Sequence, residues 1–110
     1  MLTIFRTDEF AADVAHQIQW YLDVTDLDDV FAAELAQSFA AAVEETLEFL
    51  ARNPAAGRPR AVRFADLPGY RGFNVFNPFG RFRVYYRVIG RELHAERFLE
   101  GHRLAASDDH

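Results

Sequence analysis

Arginine is the residue with most chemical reach in this sequence. From 81 to 89 the chain alternates, so that Arg81, Arg83, Tyr85 and Arg87 share one face of an expected strand while Phe82, Val84, Tyr86 and Val88 share the other. Arg71, Arg97 and Arg103 come from the same expected sheet or its end, and together these residues form an outward row of guanidinium groups. Guanidinium suits bidentate contact with phosphate or carboxylate. The row is either a solvated strand face or a surface for an anionic partner, and its one-sided clustering favours the second. Tyr85, on the arginine face, is expected to contact a ligand, whereas Phe82 and Tyr86 are expected in the core. Nine of the sixteen aromatic residues lie between Phe64 and Phe98, interleaved with arginine. That pattern fits either a base-stacking platform or the filling of a shallow core.

Other chemistries find less support. His16, His94, His102 and His110 show no helical i, i+4 pairing, and the chain has no cysteine to add a thiolate, so neither a metal site nor a cofactor is expected. His102, two residues from Glu100 and beside Arg103, could act as a general acid or base, although an exposed strand-end histidine is the commoner outcome. Gly69, Gly72 and Gly80 lack the spacing of a phosphate-binding loop. Ser38 falls inside a long helix and Ser107 in the tail, so neither is a convincing nucleophile. All twelve basic residues are arginine. With seventeen alanines and three isoleucines this reads as GC-rich codon usage or as selection; either way, no step can use a lysine.

The net charge of −5 hides its distribution. Residues 1–51 carry one arginine against eleven acids, whereas residues 52–103 carry eleven arginines against four acids. An acidic half is joined to a basic half, and that asymmetry says more about partners than the sum does. At 110 residues, half of them hydrophobic, the chain fits one globular domain stabilised by packing alone. It has neither a long apolar run nor the layout of a signal peptide at its start, so a soluble cytoplasmic protein without membrane contact is expected.

The elements that would position these residues are legible in order. Residues 2–6 form a β-prone run, expected as an edge strand. Thr7 then offers an N-cap with Asp8 and Glu9 in the first helical turn, and Phe10, Val14, Ile18 and Leu22 mark one face of a helix of about four turns. Thr25 and Asp26 offer the cap of a second helix, in which Leu27, Phe31, Leu35, Phe39, Val43, Leu47 and Leu50 recur as far as about Arg52. Asn53-Pro54 stops it. The short link and the many alanines favour an antiparallel helical hairpin. Residues 55–72 read as a loop, followed by strands at Arg71–Phe76, 81–89 and Glu92–Glu100, the last two joined by a tight turn at Gly90-Arg91. The expected fold is α+β: an N-terminal edge strand and an antiparallel helical hairpin packed on a three- to four-stranded antiparallel sheet. One domain spans 1–104, and 105–110 form a short polar tail.

Several segments taken in order, Asn53-Pro-Ala-Ala-Gly-Arg-Pro-Arg60, Leu67-Pro-Gly-Tyr-Arg71, Arg83-Val-Tyr-Tyr-Arg-Val88 and Arg97-Phe-Leu-Glu-Gly-His-Arg103, resemble the RelE/ParE superfamily of toxins from type II toxin–antitoxin modules. The resemblance implies a small cognate antitoxin, ParD-like or other, whose C-terminal segment wraps the toxin. RelE-like members cleave messenger RNA on the ribosome, and Arg83 and Arg103 fall where that branch places arginines. The branch also uses lysines where this chain has Val75 and Asn77, and a terminal tyrosine or His-Tyr pair where it has Ser107-Asp-Asp-His110. ParE-like members, which bind and poison DNA gyrase, match better through the Asn-Pro…Gly-Arg-Pro stretch and the Arg97…Gly101…Arg103 ending. Glu100 stands where a histidine is usual in them, and Leu104 where an aspartate commonly follows. The resemblance therefore implies a gyrase-binding toxin without bond chemistry and without sequence-specific nucleic-acid binding. Its partner surface would comprise Arg71, Arg81, Arg83, Tyr85, Arg87, Arg97 and Arg103. A ribosome-dependent endonuclease using Arg83 and Arg103 is the alternative.

Overall fold

The computed structural model describes residues 1–23, 28–62 and 68–100. Within them lie β1 (Thr3–Arg6), α1 (Asp8–Asp23), α2 (Asp29–Arg52), β2 (Arg58–Pro59), β3 (Arg71–Asn74), β4 (Phe82–Ile89) and β5 (Glu92–Glu100). The helix boundaries have local causes. The Phe10 amide donates to Thr7 Oγ1 at 3.1 Å, the capping bond that the sequence suggests, and the Thr7 hydroxyl donates to the Glu96 carbonyl at 2.9 Å, which fixes the start of α1 against β5. At α2 the expectation needs correction. The cap is Asp28, which accepts from the Phe31 amide at 2.9 Å, and Thr25 and Asp26 lie outside the described residues. The Asn53 amide closes the far end on the Leu50 and Phe49 carbonyls, one residue before Pro54.

The sheet has five strands in the order β1-β5-β4-β3-β2 and is mixed rather than wholly antiparallel. β1 takes the edge, as expected, but runs parallel to β5 with Ile4 beside Leu93. Periodicity identifies a strand without giving its direction, and the long connection between β1 and β5, through both helices and β2 to β4, permits parallel pairing. The two residues of β2 add a fifth strand inside the stretch read as loop, and β3 ends at Asn74 rather than Phe76. In the β4–β5 ladder Tyr85 faces Arg97 whereas Tyr86 faces Ala95, which leaves Glu96 as the extra residue of a β-bulge.

The helices cover one face of the sheet. Phe39 is the centre of the core, with the rings of Tyr21, Phe79, Phe82 and Phe98 between 5.3 and 5.5 Å away. Val84, Tyr86, Leu93 and Ala95 come from the sheet side, and Val43, Leu47 and Leu50 from α2. Thr46, buried among them, donates to the Ala42 carbonyl at 2.7 Å and accepts from the Phe76 amide at 3.2 Å, so its hydroxyl is satisfied. The helical stripes read from the sequence fail at one end. Leu22 and Phe31 are exposed, and Tyr21 is buried instead, against the rings of Phe39 and Phe79.

Candidate partner-binding surface

Strand register decides which arginines share a face. Arg83, Tyr85 and Arg87 of β4 point away from the helices, in rows with Asn74 and Gly72 of β3 and with Leu99, Arg97 and His94 of β5. Arg71 does not belong with them. It pairs with Tyr86, on the helix side, and its Nη1 donates to the Gly57 carbonyl at 2.6 Å. The same loop is held from the core: the Gly57 amide donates to the Tyr86 hydroxyl at 2.9 Å, and that hydroxyl donates to the Pro54 carbonyl at 2.8 Å. Burial raises the Tyr86 pKa, and the Gly57 amide opposes the shift. Arg71 therefore works as a loop clamp, a correction to its place in the outward row.

Each remaining arginine has its own environment. Arg81, just before β4, is exposed, with its guanidinium 4.9 Å from the centre of the Phe82 ring. Arg83 is half-buried; its Nε donates to Asn74 Oδ1 and its Nη1 to the Tyr85 hydroxyl, both at 3.2 Å. Asn74 is itself oriented by donating to the Gly80 carbonyl at 2.9 Å. Tyr85 is fully buried, which corrects its expected role as an exposed ligand contact. Gly72, in the neighbouring row position, explains why. A Cβ there would meet Arg83 Cδ at 2.9 Å and Arg60 Cγ at 3.2 Å, so both long side chains close over the space that glycine leaves.

Arg87 and Arg97 meet acids that their own strand does not reveal. Arg87 Nε donates to Glu96 Oε2 at 2.7 Å, and its guanidinium lies 5.2 Å from the centre of the Tyr70 ring. The Tyr70 hydroxyl donates to the other Glu96 oxygen at 2.6 Å. Burial, then the hydrogen bond and charge of Glu96, push the Tyr70 pKa up to about 12. Arg97 holds Asp13 of α1 with two bonds, 2.7 and 3.1 Å, and the same carboxylate accepts the Phe98 amide at 2.9 Å. That hydrogen bond to Asp13 raises the Arg97 pKa further. Instead of a continuous positive strip, the outer face has Arg87 and Arg97 paired with acids, Arg83 held by the neutral groups of Asn74 and Tyr85, and Arg81 exposed beside them. Arg103 and His102 lie outside the described residues.

Beside this face a cavity of about 700 Å³ opens between α1 and the end of β5. Asp13, His16 and Gln17 face Phe82, Phe98 and Glu100 across it. Its mixed apolar and polar lining suits a peptide side chain or small ligand. Among the described residues no group of three or more His, Asp or Glu could hold a metal ion, and His94 instead bonds Glu92 at 3.0 Å against the Phe5 ring. Sequence reasoning missed Asp13, Asn74, Tyr70 and Glu96. For Glu96 a signal was present: the buried positions Leu93, Ala95 and Phe98 are spaced two and then three residues apart, as a bulge requires.

The sequence profile of the ParE toxin of type II toxin–antitoxin system, parDE, matches residues 5–103. Among solved structures, a chain of the chromosomal ParDE TA system from P. aeruginosa superposes with a TM-score of 0.66 at 22% identity, covering 91% of this chain and 96% of that one. At that identity the likeness is one of fold. No curated protein matches the chain. No helix among the described residues is long and apolar enough to cross a membrane.

Proposed function

The chain belongs to the ParE toxin family of type II toxin–antitoxin systems, and we propose that it is the toxin of such a module, held by a cognate small antitoxin and inhibiting DNA gyrase by protein–protein contact. The observation that carries the non-enzymatic reading is the fixed state of the outer face. Of Arg83 and Arg103, the arginines a nuclease would use, Arg83 is tied to Asn74 and Tyr85, and Arg103 lies outside the described residues. The nearby phenols offer poor proton carriers: Tyr85 is buried, and Tyr70 is bound to Glu96 with its pKa near 12. Arg81, exposed beside this face, is suited to hold a carboxylate of a protein partner.

The cavity between α1 and β5 and the exposed Arg81 beside it are the parts of this surface that an antitoxin segment would engage. Co-expression with the neighbouring small open reading frame should yield a stable complex, and its absence would argue against the toxin reading. Toeprinting on translating ribosomes separates the enzyme alternative, because a RelE-type nuclease cuts at the A-site codon and a gyrase poison leaves the message whole.

A further inference from the structure

The two ends of α2 carry exposed apolar groups, ringed by acids alone at one end and flanked by arginines at the other. At the hairpin tip Trp20 and Leu22 of α1 are 40% and 43% exposed, and Val30 and Phe31 in the first turn of α2 are 69% and 54% exposed. Asp23, Asp28, Asp29 and Glu34 are exposed around them, and no arginine or lysine stands between Arg6 and Arg52. A hollow of about 380 Å³ lies among Asp28, Asp29, Val30, Phe31 and Glu34. The acids have local reasons, since Asp28 caps α2, Asp29 suits the positive end of its dipole and Asp23 accepts from Gln19. Those reasons do not account for four large apolar side chains left in water.

Roughly 33 Å away along α2, at a rise of 1.5 Å per residue, the surface carries the arginines that the tip lacks. The Leu2 amide donates to the Ala51 carbonyl at 2.9 Å and the Thr3 amide to the Arg91 carbonyl at 3.0 Å, which gathers the N-terminus, the end of α2 and the β4–β5 turn in one place. Met1, Val88 and Ile89 are 75%, 41% and 45% exposed there, with Arg52 and Arg91 exposed beside them. The acids at this end are Glu92, which bonds His94, and Glu48, one helical turn back from Arg52.

We propose that the acidic apolar tip docks on the arginine-flanked apolar base of a second copy, so that the chain associates head to tail. Charge complementarity selects this arrangement: a tip-to-tip contact would set Asp23, Asp28, Asp29 and Glu34 against themselves, and a base-to-base contact would oppose Arg52 and Arg91. The contact is heterologous, each copy using two different patches, and it is separate from the gyrase reading. A small rim-charged interface of this kind is weak and screened by salt.

Sedimentation velocity of the purified full chain tests it, together with Phe31→Glu at the tip and Ile89→Glu at the base. Both substitutions are at exposed positions, and near-ultraviolet circular dichroism checks that each variant is folded. The wild type should associate with rising concentration at low salt, and at least tenfold more weakly at high salt. Each variant alone should stay monomeric. An equimolar mixture should form a one-to-one dimer and nothing larger, because one variant keeps an intact base and the other an intact tip. A wild type that is monomeric throughout, a single variant that still associates, or a mixture that stays monomeric would each overturn the proposal.

Discussion

The Asp13 carboxylate on α1 holds the Arg97 guanidinium on β5 with paired bonds of 2.7 and 3.1 Å. The same group accepts the Phe98 amide at 2.9 Å, beyond the point where β1, whose last paired residue is Arg6, stops covering the β5 edge. One side chain therefore neutralises an arginine of the candidate surface and closes an otherwise open strand edge. Asp13→Ala should lower unfolding free energy by about 2 kcal/mol, since it strands a partly buried guanidinium and an amide together. Urea denaturation of the two proteins measures this, and a change below roughly 0.5 kcal/mol, the range of ordinary surface substitutions, would contradict it.

Gly57 should tolerate no side chain. A Cβ there would lie 2.4 Å from the Tyr86 hydroxyl oxygen and 2.7 Å from its ring, which is itself fixed in the core. Gly57→Ala should therefore lower the melting temperature more than Tyr86→Phe, which removes a hydroxyl but leaves the packing, at a cost of about 1 to 2 kcal/mol. Equal shifts in the two melting curves would show that the loop moves aside freely.

The order of elements was legible because its signals are local: the Thr7 cap, the Asn53-Pro54 stop and the alternation of β4 each act within a few residues. The candidate site was less legible because its charges are settled by contacts distant in sequence. Asp13 and Arg97 are 84 residues apart, and the position of Glu96 depends on a bulge. Tyr85 lies on the face that alternation assigns it, yet its burial depends on a glycine in the next strand. Arginines counted along one strand thus overstate the free positive charge of the folded surface.

Alkaline pH should reveal Tyr70. Its pKa stands at about 12 in the fold against an ordinary value near 10, so the unfolded chain loses this proton first as pH rises. The associated stability is complete below about pH 10 and disappears on passing to about pH 12. Ultraviolet titration of phenolate absorbance should count one late-ionising tyrosine fewer in Tyr70→Phe, Tyr86 remaining late because it is buried, and the variant's stability should fall less steeply over that window. A count of late-ionising tyrosines that is the same in both proteins would contradict the assignment.

Arg81 separates binding from folding. It is exposed, and its described contact is with the Phe82 ring, so Arg81→Glu should move stability by no more than about 0.5 kcal/mol. The same change reverses a charge on the proposed partner surface, and antitoxin affinity measured by calorimetry should fall at least tenfold. Arg71→Ala should do the opposite, lowering stability through the freed Gly57 loop. An Arg81→Glu protein with unaltered antitoxin affinity would remove this region from the proposed interface.

The central claim, a toxin that acts by binding gyrase, is tested most directly by DNA supercoiling with purified gyrase and the purified chain. Supercoiling should fall as the chain is added in molar excess and should recover when the co-purified antitoxin is supplied. Gyrase that stays fully active at a large excess of folded chain would contradict the account.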